Sequence, residues 1–174
     1  MIFAISGAHD TGKTTLIEAL SDQLDGYRVV DEPYIQLIEE GNYFSQPPTA
    51  DDYFQQLERS IENVADAQGN LIFDRCPYDF LAYLRACGEK VNSVTDNNEK
   101  RFHDAMSKLE LVVFLPIESP DRIMEGEFRS LRGDVDGELR SLILDDEFEF
   151  ELPSIEVTGS VAERTRQVWK SLHE

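Results

Sequence analysis

The chain has 174 residues, 41% hydrophobic and 29% charged, which fits one globular domain and excludes wholesale disorder. With 35 acidic against 16 basic residues the formal net charge is −19, a field that repels DNA, RNA and anionic lipid. Two cysteines, Cys76 and Cys87, are too few for a disulfide framework or a cysteine metal cage, and no apolar stretch approaches the roughly 20 residues that span a bilayer.

In chain order, Met1–Ser6 is a continuous apolar run suited to a strand buried on both faces; it is too short and lacks the basic flank for a signal segment. Leu16, Ile17, Leu20 and Leu24 share one helical face, which predicts a helix from Gly12 to about Leu24, ended by Asp25-Gly26. Tyr27–Asp31 reads as a second strand, followed by a short helix around Tyr34–Glu40 and a loop holding Pro47-Pro48. Tyr53, Leu57, Ile61 and Val64 recur at helical spacing, so Ala50–Gln68 is expected to be a long amphipathic helix. Leu71–Phe73 makes a third buried strand ending at Asp74, and the chain is helical from Asp79. Gly88–Asn98 reads as a loop, Glu99–Lys108 as a helix, and Leu109–Leu115 as the fourth and most apolar strand.

Glu118–Glu151 differs in kind: it is charged throughout, carries Arg122, Arg129, Arg132 and Arg140, and ends in the acidic run Asp145–Glu151. We read it as a mobile helical lid. Ile155–Val157 is a candidate fifth strand, and Ser160 with Glu163 makes a capping box for a last helix whose apolar face includes Val168 and Leu172. Alternation of this kind predicts a single domain over 1–174: a three-layer α/β fold with a five-stranded parallel sheet.

Residues Gly7-Ala8-His9-Asp10-Thr11-Gly12-Lys13-Thr14 satisfy G-x-x-x-x-G-K-[ST], placed after an apolar strand and opening an amphipathic helix. The glycines allow backbone angles and close approach that a Cβ would block. The amides of Gly7 through Thr15 then cradle phosphate oxygens, with the dipole of the following helix behind them. Lys13 supplies a charge to the β- and γ-phosphates and Thr14 offers its hydroxyl to Mg2+. His9 and Asp10 read as spacers whose backbone does the work. The cofactors expected are therefore ATP and Mg2+; no guanine-reading N-K-x-D is present.

Ligands of open parallel sheets bind outside the carboxyl ends of the strands. Asp31-Glu32-Pro33 and Asp74-Arg75 stand at two such ends. Either Asp31 or Glu32 can take the proton of an attacking hydroxyl, Asp74 suits magnesium, and Arg75 can hold a substrate oxygen or the moving phosphoryl group. The aromatics Phe44, Tyr53, Phe54, Tyr78 and Tyr83 either pack in the core or stack on a substrate ring.

With these motifs in place, the chain resembles the nucleoside- and nucleotide-kinase-like branch of P-loop proteins and the small AAA-type ATP-binding, kinase-like proteins. Glu32-Pro33 matches the E-P motif after the second strand, and Asp74-Arg75-Cys76 the [ED]-R-[SX] motif after the third, with Cys76 where serine is usual. The resemblance implies a sheet of nucleoside-monophosphate-kinase-like order and a substrate-reading glutamine at Gln55 or Gln56. It also implies phosphate-clamping lid arginines at Arg129 and Arg132, and a turn bordering the adenine at Gly159-Ser160. The implied function is phosphoryl transfer from ATP to a small molecule, a nucleoside or nucleotide, by a cytoplasmic monomer or homodimer with no membrane or nucleic-acid partner. Two rivals stand beside it: a nucleotide-driven ATPase switch acting on a protein partner, and a kinase of modified bases within DNA.

Overall fold

The computed structural model describes residues 1–91, 100–120 and 129–173. Strand β1 (Ile2–Ser6) leads through the phosphate loop into helix α1 (Lys13–Ser21), then β2 (Arg28–Val30), α2 (Pro33–Glu39) and α3 (Ala50–Ala65). Strand β3 (Leu71–Asp74) and α4 (Pro77–Ala86) follow, then a helix over 100–106 (α5), β4 (Leu111–Phe114), α6 (Arg129–Ile143), β5 (Ser154–Glu156) and α7 (Val161–His173). The five strands are all parallel in the order β2-β3-β1-β4-β5. The expected fold is the observed one.

Burial explains the layering. Along β1, Phe3 and Ile5 face one way and pack with Leu16, Ile17 and Leu20 of α1 and Val168 of α7. Ala4 faces the other way, into a larger core that takes Leu57, Ile61 and Val64 from α3, Leu81 and Leu84 from α4, and Leu139 and Leu142 from α6. The small Ala4 side chain leaves room for that larger helical layer, and each large side chain buried there contributes about 1.5–3 kcal/mol. Parallel strands can be joined only by crossovers, so both faces must be covered by helices.

Boundaries move where capping or packing overrides periodicity. Helix α4 begins at Pro77 rather than Asp79, because Pro77 takes the first helical position and the Cys76 N–H donates to the Asp79 carboxylate at 3.0 Å. The segment read as one helical lid is helical over Arg129–Ile143, and in this structure Val135, Leu139 and Leu142 of α6 are buried against the core beside α4. Asp145–Glu151 turns back instead of continuing the helix: the Phe148 and Phe150 rings pack near Tyr78 and Phe102, with centroids 5.9–6.4 Å apart. Those two aromatics hide inside an acidic run. The capping box of α7 forms as expected, Ser160 N–H donating to Glu163 at 2.7 Å. Among the described residues no helix is long and apolar enough to cross a membrane.

The register aligns the carboxyl ends of the central strands. Ile5 pairs with Asp74 and Ser6 with Phe114, so Gly7, Arg75 and Leu115 leave the sheet side by side.

Candidate functional site

The phosphate loop rises from the end of β1 against its neighbour strand. A Cβ on Gly7 would stand 2.6 Å from the Leu115 carbonyl oxygen and 2.8 Å from Thr11 Oγ1, so no side chain fits there. Gly12 is left-handed at φ 89° and opens α1, where its carbonyl accepts the first helical bond from Leu16. Inside the loop the Lys13 ammonium is buried and donates to the Ala8 carbonyl at 2.8 Å. Burial, helped by the Arg75 guanidinium, pushes it down to about 7 from an ordinary 10.5. Thr14 and Thr15 stand exposed in the first turn of α1.

Asp74 closes β3 beside the loop. Its Oδ1 is buried with no hydrogen-bond partner among the described residues. Burial pushes its carboxyl up to about 6, against the opposing pull of Lys13 and Arg75.

Arg75 follows in a left-handed conformation, φ 74°, a strained position for a side-chain-bearing residue. Its guanidinium is buried and fixed on three sides. Nε donates to Glu32 Oε2 at 2.9 Å, while Nη1 donates to the Gly7 carbonyl at 2.9 Å and to Asp79 Oδ1 at 3.2 Å. Asp79 is fully buried and also accepts from Ser6 Oγ at 2.7 Å, from the Gly7 amide at 3.1 Å and from the Cys76 amide. One carboxylate thus joins the end of β1, the start of the phosphate loop, the Arg75 guanidinium and the cap of α4.

Beside the loop lies a cavity of about 460 Å³. Its aromatic wall is Tyr34, Phe44, Tyr53, Phe80 and Tyr83; Gln56, Pro48 and Leu131 add to it, and His9, Asp10, Glu32 and Arg75 form the end nearest the loop. Tyr53 and Tyr83 stack at 4.8 Å, and Tyr34 lies 5.0 Å from Phe44. The Tyr83 hydroxyl meets both the His9 amide and His9 Nδ1 at 3.1 Å, tying the cavity wall to the phosphate loop. The Gln56 amide is oriented by a 3.0 Å bond from Nε2 to the Asp52 carbonyl.

The residues expected from the sequence separate on this geometry. Glu32 and Gln56 line the cavity, whereas Asp31 and Gln55 are exposed and do not. Glu32 is the last extended residue before α2 and turns inward, while Asp31 one position earlier turns to solvent. Of the aromatics, Phe44, Tyr53 and Tyr83 face the cavity; Tyr78 is in the core and Phe54 packs against it. Arg132 is buried and donates from Nε to the His9 carbonyl at 2.9 Å and from Nη2 to that of Asp10 at 3.4 Å. Arg122 and the side chain of Arg129 lie outside the described residues. Arg140 pairs with Glu156 at 2.7 Å, away from the loop.

Gly159 stands at the turn before α7, its amide donating to Glu118 at 2.6 Å. The same Glu118 oxygen accepts from Arg164 Nη2 at 2.8 Å, and Arg164 Nη1 donates to the Thr11 carbonyl at 2.7 Å. Sequence reasoning missed Tyr34, Phe80, Asp79 and Arg164. For Asp79 a signal existed: it stands three residues after the cap and four after Arg75. For Arg164 none did, since it meets Thr11 across 153 positions.

Solved structures share this architecture. Deoxyadenosine kinase from M. mycoides with dCMP and dCDP matches with a TM-score of 0.65 at 15% identity, over 99% of this chain and 98% of that one. Thymidylate kinase from Candida albicans matches at 0.66 and 16% identity, over 99% and 90%. NadR protein in complex with NR matches at 0.69 and 16% identity over 99% of this chain, which spans 48% of that one. At these identities the likeness is one of fold. No curated protein sequence is significantly similar to the chain. A family model described as an AAA domain matches residues 2–164, nearly the whole length, and the chain belongs to that AAA domain family.

Proposed function

We propose that the protein is an ATP- and magnesium-dependent phosphotransferase that carries the terminal phosphoryl group of ATP to a hydroxyl or phosphate of a small acceptor, a nucleoside or nucleotide. One observation carries this reading: a second, aromatic-walled cavity meets the phosphate loop at the Glu32–Arg75 pair. A nucleotide-driven switch needs the loop but has no use for a lined cavity at its γ-phosphate end. Two proteins with this fold, named as a deoxyadenosine kinase and a thymidylate kinase, support the same class.

Lys13 and the amides of Gly7–Thr15 hold the β- and γ-phosphates, whose charge restores the Lys13 ammonium. The unpartnered Asp74 oxygen and the exposed Thr14 hydroxyl at the mouth of the loop suit a hard divalent cation held mainly by phosphate and water oxygens. Bound there, Mg2+ would neutralise phosphate charge. The acceptor ring lies against the Tyr53, Tyr83 and Phe44 side chains, with its polar edge toward Gln56. Glu32 takes the acceptor's hydroxyl proton, and the freed oxygen forms a bond to the γ-phosphorus. The bond from that phosphorus to the β,γ-bridging oxygen breaks and ADP leaves. Arg75, held rigid by Glu32 and Asp79, neutralises the passing phosphoryl group, and Arg132 adds charge from α6. Gly159 borders the adenine.

The test is ADP release with and without nucleosides, nucleotides, sugars and vitamin precursors; a rate that no acceptor raises counts against transfer. Replacing Glu32 by Gln is expected to lower acceptor-dependent turnover roughly a hundredfold or more with ATP binding intact. An unchanged rate would remove Glu32 as the base.

A further inference from the structure

Resting on the phosphotransferase reading, we infer that the acceptor is an uncharged nucleoside and that the cavity discriminates against the corresponding 5′-monophosphate. The cavity offers a planar ring what it needs: two pairs of close aromatic side chains, Tyr53 with Tyr83 and Tyr34 with Phe44, and an oriented amide at Gln56. The end where a 5′ substituent must reach the loop carries the opposite of a phosphate site.

Among the described lining residues, the charged groups there are Asp10, Glu32 and Arg75, with His9 as the remaining titratable one. Arg75 is the sole guanidinium of that set, and two carboxylates already hold it, Glu32 at 2.9 Å and Asp79 at 3.2 Å. Its side chain is only 9% exposed and bonded on three sides, so a new partner has to displace one of those bonds. An acceptor phosphate would have to separate Arg75 from Glu32 and then sit beside the abandoned carboxylate, a costly exchange for a pair this buried. On the proposed mechanism Glu32 accepts the proton of the acceptor hydroxyl, and the same carboxylate repels a dianion in that place.

The charge of the molecule acts in the same direction: 35 acidic against 16 basic residues repel any anion that brings no counter-charge. ATP escapes this penalty on its own side through Lys13, the loop amides, the amino end of α1 and its magnesium. On the acceptor side Arg132 is buried behind the loop on the His9 and Asp10 carbonyls, so among the described lining residues a bare monophosphate meets only the already paired Arg75. A neutral hydroxyl needs no such counter-charge.

The experiment compares matched pairs, each of adenosine, guanosine, cytidine, their deoxy forms and thymidine against its own 5′-monophosphate. Acceptor-dependent ADP release gives kcat/KM, and calorimetric titration into protein loaded with magnesium and a non-hydrolysable ATP analogue gives Kd. For the preferred base, the nucleoside is expected to exceed its monophosphate at least tenfold in kcat/KM and in affinity. In Glu32→Gln that affinity gap is expected to narrow through tighter monophosphate binding, a readout independent of the lost chemistry. Phe44→Ala, a half-buried change outside the core, is expected to raise the nucleoside KM about tenfold.

A monophosphate that stimulates ADP release as well as its nucleoside, or better, overturns the inference while leaving phosphoryl transfer standing. An affinity gap unchanged in Glu32→Gln overturns its electrostatic cause. Failure of every pair to bind or to stimulate overturns it together with the nucleoside class, whereas stimulation by a sugar alone would keep transfer and discard only the ring.

Discussion

Lys13 and Arg75 are buried cations at the phosphate loop and the end of β3, and they are stabilised in different ways. Among the described residues Lys13 donates only to a loop carbonyl, and burial pushes its ammonium down to about 7. Between pH 7 and about 10.5 the unfolded chain keeps a proton here that the folded chain has released. The cost of burying the charge is therefore full below pH 7 and is relieved as pH rises through that window. Nucleotide-free protein is expected to gain stability from pH 7 to 9 relative to Lys13→Met, by at most about 1.4 kcal/mol per pH unit. Denaturant titrations at each pH check this, and parallel profiles for the two proteins would refute it. Arg75 has two carboxylates and keeps its charge. Arg75→Ala should reduce acceptor-dependent kcat roughly a hundredfold or more while ATP affinity changes only a fewfold. The reverse pattern would make the guanidinium a structural prop of the loop.

At the scale of elements, α4 matters most, because it begins where β3 delivers Asp74 and Arg75. Asp79, in its first turn, is fully buried and accepts from Ser6, Gly7, Arg75 and Cys76. Asp79→Ala strands all four donors and should cost about 3–5 kcal/mol, lowering the thermal midpoint by roughly 10 °C. A midpoint within 2 °C of wild type, about what 0.5–1 kcal/mol moves, would show that the network carries little energy. This element also shows how far the sequence could be read. The phosphate loop was legible because its chemistry is contiguous: eight residues contain the glycines, the lysine and the threonine. The cavity was not, because Tyr34, Phe44, Tyr53, Phe80 and Tyr83 come from three helices and a loop. Helical spacing says that Tyr53 and Leu57 share a face. It does not say that this face meets the core at Leu57 and a cleft at Tyr53. Cys76 concealed the cap in the same way, since cysteine is not a residue that announces a helix start.

For the whole molecule, the parallel sheet followed from the alternation of strands and helices and its order from the family resemblance, whereas the fate of 145–151 followed from neither. Charge dominates that run in the sequence, yet two phenylalanines spaced by one residue dominate its packing. The −19 charge was legible from the start, and its meaning depends on the site: if the protein takes the polyanionic donor proposed above, it must confine its attraction to one loop. Stability should therefore respond to the loop's ligand. Magnesium and ATP at 100 times their Kd are expected to add about 2.7 kcal/mol, or roughly 5–10 °C in thermal midpoint, and chelation of the metal should cancel most of the gain. No shift at millimolar nucleotide would remove the loop from phosphate binding.

The four-donor arrangement around Asp79 has a historical corollary. Ser6 stands 73 positions before Asp79 and Arg75 four before it, yet the three satisfy one another, so a lineage that swaps any one alone inherits a buried orphan. Across kindred sequences these three positions should drift as a set or stay fixed as a set, and an alignment in which they vary independently would contradict that interdependence.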